Sequence, residues 1–246
     1  MTETAISRIG AVDAEGTNSR YGVWKYAIPL PPDSLLWSVG AQSLENFLVV
    51  GDAWAQVVSR HTTANCRLLD IGSGCGRTAR ILVNNGFITH YVGFDVISAN
   101  VAWCNNYIKP AFQDRSCEFH HFDIYSREYN PGGAIQAQNF RFPCKDDSID
   151  VAFAASLFTH LLEPDAKHYL AEINRVLRKT GTAIVSIHVD VAPGVAYQGG
   201  EARIDVDQQY FTALAWAAGL EPKDVIDDLA GQTTLILGRA KNAKKK

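Results

Sequence analysis

The chain has 246 residues, 47% of them apolar and 20% charged, with a net charge of −3. That length and balance fit one sizeable α/β domain with its own core and exclude a disordered chain. No uninterrupted apolar run approaches the ~20 residues of a bilayer span, and nothing resembles the basic stripe of a nucleic-acid binder.

In chain order, residues 1–60 read as an N-terminal helical extension or cap. They hold Trp24, Tyr26, Trp37, Phe47 and Trp54 around Pro31-Pro32, and Ser43 precedes an amphipathic helix over 44–59. From residue 66 the pattern becomes strand, loop, helix. Strands are predicted over 67–71, 90–94, 117–122, 149–155 and 182–189, with helices over 78–85, 98–108 and 164–179 between them. Ser98 is the expected N-cap of the second of these helices, and Gly181 the left-handed stop of the third. A last helix over 208–218 is closed by Gly219, and strands over 221–226 and 232–238 pair antiparallel. The alternation predicts a doubly wound, mostly parallel sheet over 61–240, followed by a basic tail, 241–246. The five cysteines, 66, 75, 104, 117 and 144, form no Cys-x-x-Cys pair, so neither a disulfide framework nor a metal site is expected. The first residues carry no basic-then-apolar leader, which predicts a cytoplasmic location.

The chemistry concentrates after the first strand, in Asp70-Ile71-Gly72-Ser73-Gly74-Cys75-Gly76-Arg77. Glycine at alternate positions lets the backbone approach a ligand, and the helix that follows offers amide donors. A carboxylate at the strand tip disfavours a pyrophosphate and suits an ammonium group, so Asp70 argues for S-adenosyl-L-methionine over a dinucleotide. Asp95 ends the second strand about 20 residues further on, where an acid accepts ribose hydroxyls. Asp123 follows the third strand, placed to accept from an adenine amino group, with Ile124 packing on the ring.

These residues, with Phe142 to Asp150 ahead of the fourth strand and the helix Tyr169 to Leu177 after it, resemble the class I S-adenosylmethionine-dependent methyltransferases over roughly 60–240. The resemblance implies a seven-stranded Rossmann-like sheet whose last strand is antiparallel. It also implies a cofactor site drawn from Asp70, Gly72, Ser73, Gly74, Cys75, Gly76, Asp95, Val96, Asp123, Ile124 and Ala155. At the fourth strand's tip this chain has Ala154-Ala155-Ser156-Leu157-Phe158 instead of the Asn/Asp-Pro-Pro-aromatic run of amide and adenine N-methylating members. His160 and His188 are candidate bases for an oxygen nucleophile. His120 and His121 are adjacent and point to opposite faces, a poor metal pair. The expected activity is methyl transfer to a small-molecule, glycan or sugar-like acceptor, at oxygen. The alternatives are an NAD-dependent oxidoreductase and a non-catalytic cofactor- or partner-binding relative.

Overall fold

The computed structural model describes residues 28–241. Trp24, Tyr26 and the tail 242–246 lie outside the described residues. The chain opens with α1 (Asp33–Ser38) and α2 (Leu44–Arg60). Ser43 caps α2 as expected, its Oγ accepting from the Asn46 amide at 3.1 Å. The inner face of α2 carries Trp54, Val57 and Val58 into the core beneath the sheet, where the Trp54 ring stacks on Phe153 with centroids 6.4 Å apart.

The strands β1 (Cys66–Ile71), β2 (Ile88–Asp95), β3 (Ser116–His121), β4 (Ile149–Ala154), β5 (Leu177–Ile187), β8 (Leu220–Leu229) and β9 (Gln232–Arg239) form one sheet in the order β3-β2-β1-β4-β5-β9-β8. The pairs from β3 to β5 are parallel, whereas β9 runs antiparallel to both β5 and β8. This is the mostly parallel seven-stranded Rossmann-like arrangement expected from the sequence. Central β1 is buried on both faces. Leu69 and Ile71 join the core under α5 (Glu163–Val176) and α6 (Gln208–Ala217), while Leu68 faces the α2 side. Strand order reverses direction between β1 and β4, so the crevice at their carboxyl ends is where this topology places a ligand.

Three local expectations are corrected. The helix over 98–108 forms as expected, α4 (Ser98–Trp103) continuing directly into a π-helical turn, Cys104–Ile108. Ser98 is not its cap: Ile97 holds that position, and its amide is taken by Asp95 Oδ1 at 2.8 Å. The helix after Pro164 stops at Val176, and Gly181 lies inside β5. There a Cβ would stand 3.0 Å from the Ile149 carbonyl oxygen, so this glycine serves close strand approach. The helix after the glycine loop shrinks to α3 (Ala79–Leu82). Within 190–207 the chain also folds a short hairpin, β6 (Tyr197–Gly200) with β7 (Arg203–Val206), which alternation did not reveal. Among the described residues no helix is long and apolar enough to cross a membrane.

Candidate active site

A cavity of about 540 Å³ opens at the carboxyl ends of β1, β2, β4 and β5. One half is built by the glycine loop. Gly72, Gly74 and Gly76 adopt φ of 74°, 53° and 79°, a region costly to any residue with a Cβ. Packing imposes the same choice, because a Cβ on Gly74 would sit 2.4 Å from Val39 Cγ1. The loop's amides are spent inside the protein. Those of Gly72 and Ser73 donate to the Phe94 carbonyl at 3.0 and 2.9 Å, and that of Gly74 to Asp95 Oδ2 at 2.8 Å. The row of free donors expected from the sequence, which a pyrophosphate would need, is therefore not presented.

Two carboxyls take its place. Asp70 is buried at the tip of β1 and accepts from the Tyr91 phenol, itself enclosed by Phe112 and Phe119. Burial pushes the Asp70 carboxyl up to about 7, against the Tyr91 hydrogen bond; the Asp95 charge adds to the rise and Arg77 opposes it. Asp95 is also raised by burial, with the Ile97 and Gly74 amides opposing. Its two oxygens accept from the Gly74 and Ile97 amides at 2.8 Å each, and the residue lines the cavity. Ser73 Oγ, on a residue only 7% exposed, lines the cavity without a protein partner, and Arg77 joins the wall while donating to the Val39 carbonyl at 3.2 Å. The donor set suits a ligand bearing an ammonium, a carboxylate and a diol. The N-terminal helices roof this half through Val39, Gln42 and Asn46.

Asp70, Gly72, Ser73, Gly74, Asp95, Val96 and Ala155 all face the cavity. Four other predicted contacts do not. Cys75 is buried with its Sγ toward the Leu35 carbonyl, and Gly76 packs against Ile108 and Cys104. Asp123 is bound into its own loop, accepting from Asn130 Nδ2 at 3.0 Å and the Ala134 amide at 3.2 Å, which hold its carboxyl below the usual range. Ile124 is buried in the core next to it.

The other half is lined from β4, β5 and β9, and both predicted histidines reach it. His188 has no hydrogen-bond partner for its ring among the described residues. Burial, then Arg203 and His160, lower its pKa despite Asp205, so the imidazole is neutral at physiological pH. His160 Nδ1 bonds the Glu201 carbonyl oxygen at 2.7 Å, and the Tyr129 phenol oxygen stands over the imidazole, 3.1 Å from Nε2 and 3.4 Å from Nδ1. Ser156, held at φ 58° just past β4, shares Gln232 Oε1 with Ser186, at 3.1 and 2.6 Å. Among the described residues the Gln232 amide nitrogen has no hydrogen-bond partner. Tyr129, Ser156, Thr159, Tyr169 and Gln232 were not foreseen. They come from four separate stretches, and although Ser156 and Tyr169 lie in runs that carry the family resemblance, nothing local assigns any of the five a place in the cavity.

Comparison with known proteins agrees with the fold. Residues 69–185 match a family described as a methyltransferase domain. Among solved structures, an S-adenosylmethionine-dependent methyltransferase from Aquifex aeolicus superposes with a TM-score of 0.59 at 14% identity, over 85% of this chain and 98% of that one. A Burkholderia thailandensis 1,6-didemethyltoxoflavin N1-methyltransferase, solved with its substrate and S-adenosylhomocysteine, gives 0.57 at 17% identity, over 87% and 92%. The cyclase SpnF gives 0.59 at 18% identity, over 77% and 81%, so the same fold also carries a different chemistry.

Proposed function

We propose that the chain, whose residues 69–185 match a methyltransferase-domain family, is a class I S-adenosylmethionine-dependent methyltransferase that methylates a hydroxyl oxygen of a small, neutral, sugar-like acceptor. The observation that carries this reading is the composition of the acceptor half. Ser156, Thr159, Gln232, Tyr129 and two imidazoles line it, and no carboxylate, lysine or arginine of the kind that would pair with a charged acceptor comes from β4, β5 or β9.

S-adenosylmethionine supplies an electrophilic methyl carbon when bound. Asp70 would hold its ammonium, Asp95 its ribose hydroxyls, and Arg77 with Ser73 Oγ its carboxylate. Gln232 would donate to an acceptor oxygen, and the histidines stand ready for the hydroxyl proton. Val96 and Ala155 would pack on the apolar parts of the donor. The dinucleotide alternative finds engaged loop amides and two carboxyls where a pyrophosphate would lie.

Titration calorimetry with S-adenosylhomocysteine and with NAD tests the cofactor half. Binding of the first alone is expected, and Asp95→Ala should cost roughly 2–4 kcal/mol, the worth of charge-assisted bonds to two hydroxyls. A labelled-methyl screen against sugars, phenols, amines and proteins tests the acceptor half. Transfer to amines and not to hydroxyls would overturn the oxygen assignment.

A further inference from the structure

Of the two cavity histidines, His160 has Nδ1 committed to the Glu201 carbonyl oxygen, with the Tyr129 phenol oxygen standing over its ring. His188 keeps its ring without a hydrogen-bond partner among the described residues, and burial holds the imidazole neutral. It follows β5 directly and is held there by the Val206 amide, which donates to its carbonyl at 2.8 Å. Its neighbour across the sheet is Gln232. β5 and β9 pair antiparallel from Thr182 with Gly238 to Ile187 with Thr233, and one step further that register sets His188 opposite Gln232. Directly opposed residues send their side chains to one face, with Cβ atoms about 5 Å apart, and both of these line the cavity.

Two serines decide which end of the Gln232 amide faces that cavity. Gln232 Oε1 accepts from Ser186 Oγ at 2.6 Å and from Ser156 Oγ at 3.1 Å. Ser186 Oγ also accepts the Ser156 amide at 2.9 Å. An amide N–H only donates, so the Ser186 hydroxyl proton is left for Gln232. Ser186 is fully buried, and turning the Gln232 amide over would take away the acceptor of that proton. The oxygen is thus pinned to the serines, and the nitrogen is the end turned away from them. Ser156 makes both of its bonds from left-handed backbone, φ 58°, a conformation costly to serine that persists where its surroundings hold it.

We propose that Gln232 selects the acceptor: its amide nitrogen donates to a second oxygen that neighbours the hydroxyl being methylated, while His188 opposite takes that hydroxyl's proton. This rests on the methyltransferase reading above and narrows its acceptor to vicinal oxygen compounds, a diol or a hydroxy ketone. An isolated alcohol offers the pair only one oxygen. The acceptor oxygen forms its bond to the methyl carbon while the carbon–sulfur bond breaks, its electron pair remaining on sulfur. The O–H proton passes to the imidazole, and the imidazolium gives it to solvent. Ser156 and Ser186 are positioning residues.

Nuclear Overhauser contacts in the full chain, with glutamine side chains labelled with nitrogen-15, test the pair without needing an acceptor. The Gln232 signal is assigned by its loss in Gln232→Glu. Its amide protons are expected to show stronger contacts to the His188 ring than to the Ser186 methylene, and the reverse ranking overturns the proposal. The kinetic arm uses the hydroxyl acceptor from the labelled-methyl screen, beside analogues in which the neighbouring oxygen is replaced by hydrogen or by an amino group. Gln232→Glu keeps an oxygen for both serines but turns an acceptor toward the cavity. Its kcat/KM for the parent should fall roughly tenfold, the worth of one hydrogen bond. The hydrogen analogue should be slow with the unaltered chain and indifferent to the substitution, and the amino analogue should gain from it. An equal loss on parent and hydrogen analogue, or an unchanged parent, overturns the selection. His188→Gln should lower kcat roughly a hundredfold, and an unaffected kcat overturns its part. Failure of the underlying reading shows separately, as absent S-adenosylhomocysteine binding or transfer to amines alone.

Discussion

Asp70 is a carboxyl in the wrong solvent. It sits at the end of a strand buried on both faces, with a buried phenol as its partner, and its ionisation is displaced to about 7. A carboxyl whose folded pKa exceeds its unfolded value costs stability once ionised. The penalty is absent below the ordinary carboxylate range, near pH 4, and grows as pH rises through the folded value. On the proposed reading the cofactor's ammonium group meets Asp70 and removes that penalty, so binding and ionisation favour one another. S-adenosylhomocysteine should therefore bind more tightly at pH 8 than at pH 6, releasing protons as it does so. Calorimetry in buffers of different ionisation enthalpy measures the release. Asp70→Asn should abolish both the release and the pH slope, and a slope that survives it would place the titrating group elsewhere.

The loop between β1 and α3 works only because helix α1 lies over it. Val39 follows α1 and fills the space beside Gly74, and Arg77 returns a hydrogen bond to the Val39 carbonyl. Gly74→Ala faces two obstacles, a φ of 53° and a Cβ 2.4 Å from Val39 Cγ1. Backbone strain alone is worth about 1–3 kcal/mol, and the displaced roof also uncovers the cofactor half. Thermal melts and S-adenosylhomocysteine titration should show losses in both stability and affinity. Gly40→Ala is the control, since Gly40 shares a positive φ of 68° but has open space where its Cβ would go, so its affinity should change less.

Across the molecule, the tip of β4 is placed by a network at the opposite end of that strand. Arg175, near the end of α5, grips Glu172 with two bonds at 2.7 and 2.6 Å and reaches Asp146 at 2.8 Å. It also takes the Cys144 and Phe142 carbonyls at 2.9 and 3.2 Å. These bonds fix the acidic turn that feeds β4, and β4 carries Ala155, Ser156 and His160 beyond it. Burial by itself would raise the Glu172 carboxyl, but Arg175 and the Phe142 amide outweigh it and hold it below its usual range. That contribution to stability is present at neutral pH and is lost as pH falls through the folded value. Removing the guanidinium strands a nearly buried carboxylate and two carbonyls. Arg175→Ala should therefore lower unfolding free energy by about 3 kcal/mol in urea titrations at pH 7, and by less under acidic conditions. An equal loss at both pH values would assign the effect to packing.

The sequence by itself determined the fold and the donor. Alternation of strands and helices is a local signal, and so is the spacing of Asp70, three glycines and Asp95, because chain neighbours build the strand tip and its turn. It overreached where local propensity met tertiary demand. Asp123 looked like Asp95 in position, but the turn at Asn130 claimed it, and Gly181 looked like a helix stop but serves strand contact. Only the tertiary structure assembled the other half of the cavity. Tyr129, His160, Glu201 and Gln232 are spread from position 129 to position 232, and they meet only when the sheet, the loop after β3 and the β6–β7 hairpin close on one another.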